Sequence, residues 1–231
     1  MNKVWRAFGW AVGLAVLAIV AVNLYFAAMI TWWRDHAPRE TSFMSERMRE
    51  LERKSPGARL RYQFVPYERI AGSLKRAMIA AEDSKFVEHE GFDWDGIELA
   101  MEKNQQRGRI VAGGSTITQQ LAKNLFLSGS RSWLRKGEEA VITVMLETIL
   151  DKRRIFELYL NVIEWGNGVF GAEAAAQRYF GVPAARLSAD QAARLAAMAP
   201  NPRFYERNPG APGLNRKIRI IVARMPAAEL P

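Results

Sequence analysis

From Ala7 to Trp33 the chain runs for 27 residues without a charged side chain. As an α-helix rising 1.5 Å per residue, that run spans about 40 Å, more than the roughly 30 Å hydrocarbon core of a bilayer. Trp10 lies near one end and Trp32 and Trp33 at the other, where amphipathic rings favour the interface. A cleaved signal peptide has an apolar region of only about 7–15 residues, so the run reads as an uncleaved anchor. Lys3 and Arg6 precede it with no acid. That predicts a cytoplasmic tail over residues 1–6, a transmembrane helix over 7–33 and the remainder outside.

The rest of the chain, residues 34–231, is long enough for one good-sized core. It holds all 24 acids and 31 of the 33 Lys and Arg, a net charge of +7. A tethered basic domain faces anionic lipid or an anionic substrate. Nucleic acid is the runner-up partner, one that an anchored, exported domain rarely meets. The chain has no cysteine, which removes disulfides, thiolate nucleophiles and thiolate metal sites.

Residues 34–60 form a charge-rich juxtamembrane segment, with a short helix predicted from Ser45 and stopped by Ser55-Pro56-Gly57. Residues 61–231 make the domain. In "IAGSLKRAMIAAED" the residues Ile70, Leu74, Met78 and Ala81 share one helix face, and "WDGIELAMEKNQQ" is a helix closed by Gly108. "STITQQLAKNLFL" is another, with Ser115 placed as its N-cap. The longest runs from about Ser132 to Ile149, "KRRIFELYLNVIEW" comes next, and two alanine-rich helices come after. Only short extended pieces appear between them. The expectation is an all-α domain on a tether.

Three stretches carry candidate chemistry. "AAEDSKFVEHEGFDWDG" gathers Glu82, Asp83, Glu88, Glu90 and Asp93 in a basic chain; it is either a solvated helix end or a catalytic acid. "GGSTITQQLAKN" concentrates polar groups that are costly to bury without partners, which suits a capped helix start or a binding site. Arg135 and Glu139 lie four apart on one helix face, as a surface pair or as part of an anion site.

Their order and spacing resemble the monofunctional biosynthetic peptidoglycan glycosyltransferases, whose domain also heads the bifunctional penicillin-binding proteins. The family's first motif falls on Glu82, Asp83, Phe86, His89 and Gly91, and the second on the unbroken run Gly113 to Asn124. The third falls on Arg135, Lys136 and Glu139, and the fourth on Lys152, Ile155, Glu157, Tyr159, Leu160 and Asn161. Gln191, Val182 and Thr143 depart from the residues common in the family, all outside its chemical positions.

The resemblance implies an all-α, lysozyme-like fold of two lobes, head and jaw, with a cleft between them. It implies a bacterial enzyme of the cytoplasmic (inner) membrane that polymerises glycan from lipid II, and as partners the growing lipid-linked glycan chain, the membrane and other cell-wall synthesis proteins. Glycosyl transfer with inversion needs a base on the acceptor hydroxyl, and Glu82 is the candidate, with Asp83, Phe86 and His89 in support. Lys123, Arg135 and Lys136 suit the pyrophosphate leaving group. Ser115, Thr116 and Gln120 suit sugar or phosphate oxygens, and Glu157 is a further supporting residue. Glu139 is a second catalytic candidate: it either orients Arg135 or holds the donor through a bridging divalent cation, Mg or Mn. No closed set of protein metal ligands is visible. Leu125, Phe126, Leu127, Trp133 and Leu134, around Ser128-Gly129-Ser130 with Arg131, are expected to form part of a jaw that dips into the membrane surface. A lytic glycoside hydrolase and a non-catalytic scaffold are the rival readings; the first lacks a use for the cation cluster, the second for two intact carboxylates.

Overall fold

The apolar run is one unbroken helix, α1 (Lys3–Trp33), in a computed structural model that describes residues 3–109, 113–127 and 132–231. Most of α1 touches nothing, but its last turns do: Ile30 and Trp33 are buried. Phe126 stacks between them and the domain, 4.8 Å from the Phe26 ring and 5.2 Å from that of Trp33. Arg34 donates to the Ile149 carbonyl at 2.9 Å, and Arg154 donates to the carbonyls of Trp33 and His36 at 2.8 and 2.7 Å. Helix-end carbonyls lack intrahelical donors; here Arg154 supplies one to the end of α1 at Trp33, and Arg34 supplies one to the end of α6 at Ile149. The end of α1 is therefore docked on the domain, not hinged.

After it come α2 (Ser42–Lys54), α3 (Gly72–Glu82), α4 (Trp94–Arg107), α5 (Ile117–Phe126), α6 (Trp133–Ile149) and α7 (Lys152–Val162). The chain ends with α8 (Ala172–Phe180), α9 (Ala189–Met198), α10 (Pro202–Arg207) and α11 (Leu214–Arg224). Two packed groups result. In one, α5 lies against α6 and α7, with α1 on α6; in the other, α3 lies against α9, and α11 covers both. The domain is all-α, lysozyme-like, with a small three-stranded sheet in the order β1 (Arg61–Tyr62), β3 (Val169–Phe170), β2 (Glu164–Gly166). The β1–β3 pair is parallel with Arg61 opposite Val169, and β2–β3 is antiparallel.

Two stretches differ from the helical reading. Residues 164–166 leave the helix for β2 because Arg47 on α2 claims Glu164 through two bonds, at 2.7 and 2.9 Å, both side chains being buried. Val169 and Phe170 form β3, and α8 starts only after Gly171, whose φ of +83° a Cβ would not tolerate; that Cβ would also lie 2.6 Å from the Asn161 carbonyl.

Helix α7 is the central beam, buried from Ile155 to Val162. Its Asn161 side chain bonds both the amide and the carbonyl of Val65, and Glu157 accepts from the Tyr67 amide at 2.7 Å. The segment before α3 is thus pinned to α7, which sets where α3 ends. The family's departures fit locally: Gln191 closes a capping box with Ser188, as a glutamate would, and the buried Thr143 hydroxyl donates to the Glu139 carbonyl at 2.7 Å.

Candidate active site

Glu82 is the last residue of α3, and Asp83 caps that helix. Around them opens a cleft of about 830 Å³. Its walls come from the end of α3 (Ala80 to Asp83), from α4 (Asp93, Gly96, Leu99, Lys103), from Gly113 to Thr116, and from the end of α11 with Ala227 and Ala228 beyond it. A second hollow of about 190 Å³ reaches Glu82 from between α3, α9 and α11, lined mostly by alanines and isoleucines with Lys217 and Arg224. Glu82 and Arg224 border both.

Gln120 holds the Glu82 carboxylate, and Tyr159 holds Gln120. Gln120 Nε2 donates to Glu82 Oε2 at 2.9 Å, and Tyr159 donates its hydroxyl to Gln120 Oε1 at 3.0 Å. Burial pushes the Glu82 carboxyl above the usual carboxylate range; the Gln120 hydrogen bond and the Lys217 charge pull it back, while the Asp83 charge adds to the rise. Asp83 is itself buried and fully engaged: it accepts from the Ile117 amide at 2.9 Å and meets His89 Nε2 at 3.0 Å. Because Ile117 opens α5, Asp83 ties the first motif to the second. Phe86 is fully buried beneath, in contact with Phe156 and with Lys152 4.7 Å from its ring centre. Lys152 also meets Glu147, which accepts from Thr118, so four stretches of sequence share one polar cluster.

Gly91 turns the chain at φ +88°, where an added Cβ would sit 2.7 Å from the Thr143 methyl. Its carbonyl accepts from Thr116 Oγ1 at 2.7 Å. Thr116, and not Ser115, is the N-cap of α5: its hydroxyl accepts from the Gln119 amide, and the Gln119 side chain returns a bond to the Thr116 amide. The Thr116 side chain is thus committed to the frame, whereas Ser115 is exposed on the cleft wall.

The third motif builds a cation cluster. Glu139 is buried, with Arg135 Nη1 at 2.8 Å from one oxygen and Lys136 bonded to the other. Among the described residues, Arg135 Nε is buried without a partner. One carboxylate against two cations leaves the cluster positive, with N–H groups to offer an anion. Lys123 sits on α5 three residues beyond Gln120, one helical turn from the group that touches Glu82. Lys123, Arg135, Lys136 and Glu139 are not among the residues lining the cleft itself. Glu157 faces away, paired with Arg154 and the Tyr67 amide.

Each Glu139 oxygen already meets a cation, and among the described residues no cluster of three His, Asp or Glu could hold a metal ion.

The expected jaw segment divides. Leu125 and Leu127 are buried, Phe126 packs on α1, and Trp133 and Leu134 are 94% and 77% exposed. Ser128, Gly129, Ser130 and Arg131 lie outside the described residues. Core positions absorb the leucines because α5 packs on both α6 and α7. Sequence reasoning named Tyr159 only as a member of the fourth motif, without a role, and did not name Lys217 or Arg224. A signal for the last two existed: α11 carries Arg216, Lys217, Arg219 and Arg224 and no acid.

Comparison with known proteins agrees with this arrangement. A family model described as Transglycosylase matches residues 48–226. A biosynthetic peptidoglycan transglycosylase of Chromobacterium violaceum is 62% identical over 216 residues, covering 94% of this chain and 95% of that protein. One from Herminiimonas arsenicoxydans is 59% identical over 222 residues, 96% of each chain. One from an Azoarcus species is 58% identical over all 231 residues, the full length of both.

Proposed function

Because the chain belongs to the monofunctional biosynthetic peptidoglycan transglycosylases, enzymes of glycosyl transfer, we propose that it polymerises glycan from lipid II and releases undecaprenyl pyrophosphate. The observation that carries this reading is Glu82: a carboxylate at the meeting of two hollows, with a raised pKa and a hydrogen bond that keeps it oriented. A base must be ionised yet willing to take a proton near neutral pH, and partial burial brings a carboxylate toward that balance.

In the proposed reaction Glu82 takes the proton of the 4-hydroxyl on the acceptor's N-acetylglucosamine. The freed oxygen attacks the anomeric carbon of the lipid-linked glycan from the face opposite the pyrophosphate. The C4–O–C1 bond forms with inversion to a β-1,4 link as the bond from C1 to the pyrophosphate oxygen breaks, and the electron pair leaves with the pyrophosphate. Growing negative charge there is met by Lys123, Arg135 and Lys136, with Glu139 holding the two neighbouring cations in place. Ser115, from the cleft wall, hydrogen-bonds sugar or phosphate oxygens. Any divalent cation in this scheme is carried by the substrate's phosphates.

The substrate's lipid tail stays in the bilayer, so the cleft must stand close to it. Supporting this, α1 is long and apolar enough to cross a membrane, and its end is locked to α5, α6 and α7 by Phe126, Arg34 and Arg154. Exposed Trp133 and Leu134 on α6 lie in the headgroup boundary in this reading. The enzyme then is a single-pass protein of the bacterial cytoplasmic membrane with its catalytic domain outside. Purified full-length chain in detergent with labelled lipid II is the test. A ladder of lengthening glycan supports the reading; shortening of preformed glycan, without polymer, refutes it in favour of a hydrolase.

A further inference from the structure

We propose that Tyr159 is a positioning residue for the reaction: by donating its hydroxyl proton to Gln120 Oε1, it fixes which end of that amide faces Glu82. This rests on the assignment of Glu82 as the base.

A glutamine amide can turn end for end with almost no change of shape, and only its partners decide between the two orientations. Here one end meets Glu82 Oε2 at 2.9 Å and the other the Tyr159 hydroxyl at 3.0 Å. Turned over, the amide would set its carbonyl oxygen against the Glu82 oxygen, acceptor against acceptor, which is tolerable only with Glu82 protonated. The tyrosine could then accept from the NH2, but its own proton would be left in the core. Tyr159 is 1% exposed, and Gln120 is its one hydrogen-bond partner among the described residues. A buried donor without a partner is costly. Tyr159 therefore selects the orientation that favours the ionised base.

The tyrosine is suited to this by its surroundings. Burial, together with the charges of Glu82 and Asp83, pushes its pKa well above the usual phenol value, so it remains a proton donor throughout the working range. Its ring lies on the rigid beam α7, parallel to that of Phe156. The groups facing Glu82 come from several elements. Asp83 comes next to it in the chain, α11 brings Lys217 and Arg224, and α5 brings Gln120. Across the cleft stand Asp93 and Lys103, with the uncharged Ser84 and Ser115; α9 brings Ala196 and Ala197, with Pro200 beyond it, and the turn after α11 brings Ala227 and Ala228. Gln120 is the side chain hydrogen-bonded directly to Glu82 among the described residues, so the direction of that one amide changes the fraction of ionised base.

The test is Tyr159→Phe in the full-length protein, with kcat/KM for lipid II measured from pH 5 to 9 beside the melting temperature. The acid limb is expected to move to higher pH by about one unit, since a hydrogen bond to a charged group is being weakened, while the rate at high pH stays within a few-fold of the parent. Gln120→Leu is expected to move the limb at least as far, and Tyr159→Phe to add nothing in that background. An unmoved limb, or shifts that add in the double variant, overturns the proposal. So does a fall in rate by the same factor at every pH with a lowered melting temperature, which is the signature of lost packing. Failure of the underlying assignment shows separately, as full activity in Glu82→Gln.

Discussion

Replacing Glu82 by Gln keeps the side chain's size and its acceptor for Gln120 Nε2, and removes the charge and the basic oxygen. Positioned general bases contribute about 10²–10⁴-fold, so turnover with lipid II is expected to fall by that factor, about 2.7–5.5 kcal/mol of barrier. The fold should not suffer. Burial raises the pKa of Glu82, so the native state binds its proton more tightly than the unfolded chain does. Stability from this group is therefore greatest at low pH and falls as pH rises from the ordinary carboxylate range through the raised native pKa. At neutral pH the ionised side chain is a cost that the amide does not carry, and the melting temperature of Glu82→Gln should equal or exceed that of the parent. Each 1 kcal/mol relieved corresponds to about 2–4 °C in a chain of this size. For the parent, the same raised pKa places the acid limb of kcat/KM above the usual carboxylate range. The assay is polymer formed per folded molecule from labelled lipid II, with thermal melts at pH 5 and pH 8. A variant polymerising within a few-fold of the parent would refute the base assignment. A variant melting several degrees lower would refute the account of Glu82 as a strained, desolvated group.

The cation cluster gives a second expectation: Arg135→Lys loses the planar fork that can bond Glu139 and a phosphate together, so turnover should fall at least tenfold in the polymerisation assay, with little change in melting temperature. Arg47→Ala leaves Glu164 buried beside empty space; breaking such a pair costs about 3–5 kcal/mol, to be read as a lower melting temperature with unchanged turnover per folded molecule. The two aromatic residues flanking the jaw loop should separate: Trp133→Ser should weaken binding to anionic liposomes at constant melting temperature, and Phe126→Ser should lower the melting temperature by loosening α1 from the domain. If Trp133→Ser binds liposomes as the parent does, the placement of α6 at the membrane is wrong.

The sequence by itself determined what is local or periodic. The long apolar helix α1 was legible because 27 residues without charge have few other stable uses, and the other helices because apolar spacing and capping chemistry act within a few residues. The cluster of Arg135, Lys136 and Glu139 was also legible, since residues three and four apart on a helix meet regardless of the rest of the fold. The resemblance to the family's first motif, rather than composition or periodicity, pointed to Glu82 among five acids. Only the tertiary structure decided which helix faces which. Gln120 reaches Glu82 across 38 positions and Tyr159 reaches Gln120 across 39, contacts that no local pattern encodes, because periodicity marks a shared face without naming what lies opposite it. The same holds for Arg47, whose bond to Glu164 turns a helical-looking stretch into a strand, and for Lys217 and Arg224, which read as surface charges until α11 is folded over Glu82. Long-range pairing of buried polar groups is set by the packing of apolar faces, and those faces interlock only in three dimensions.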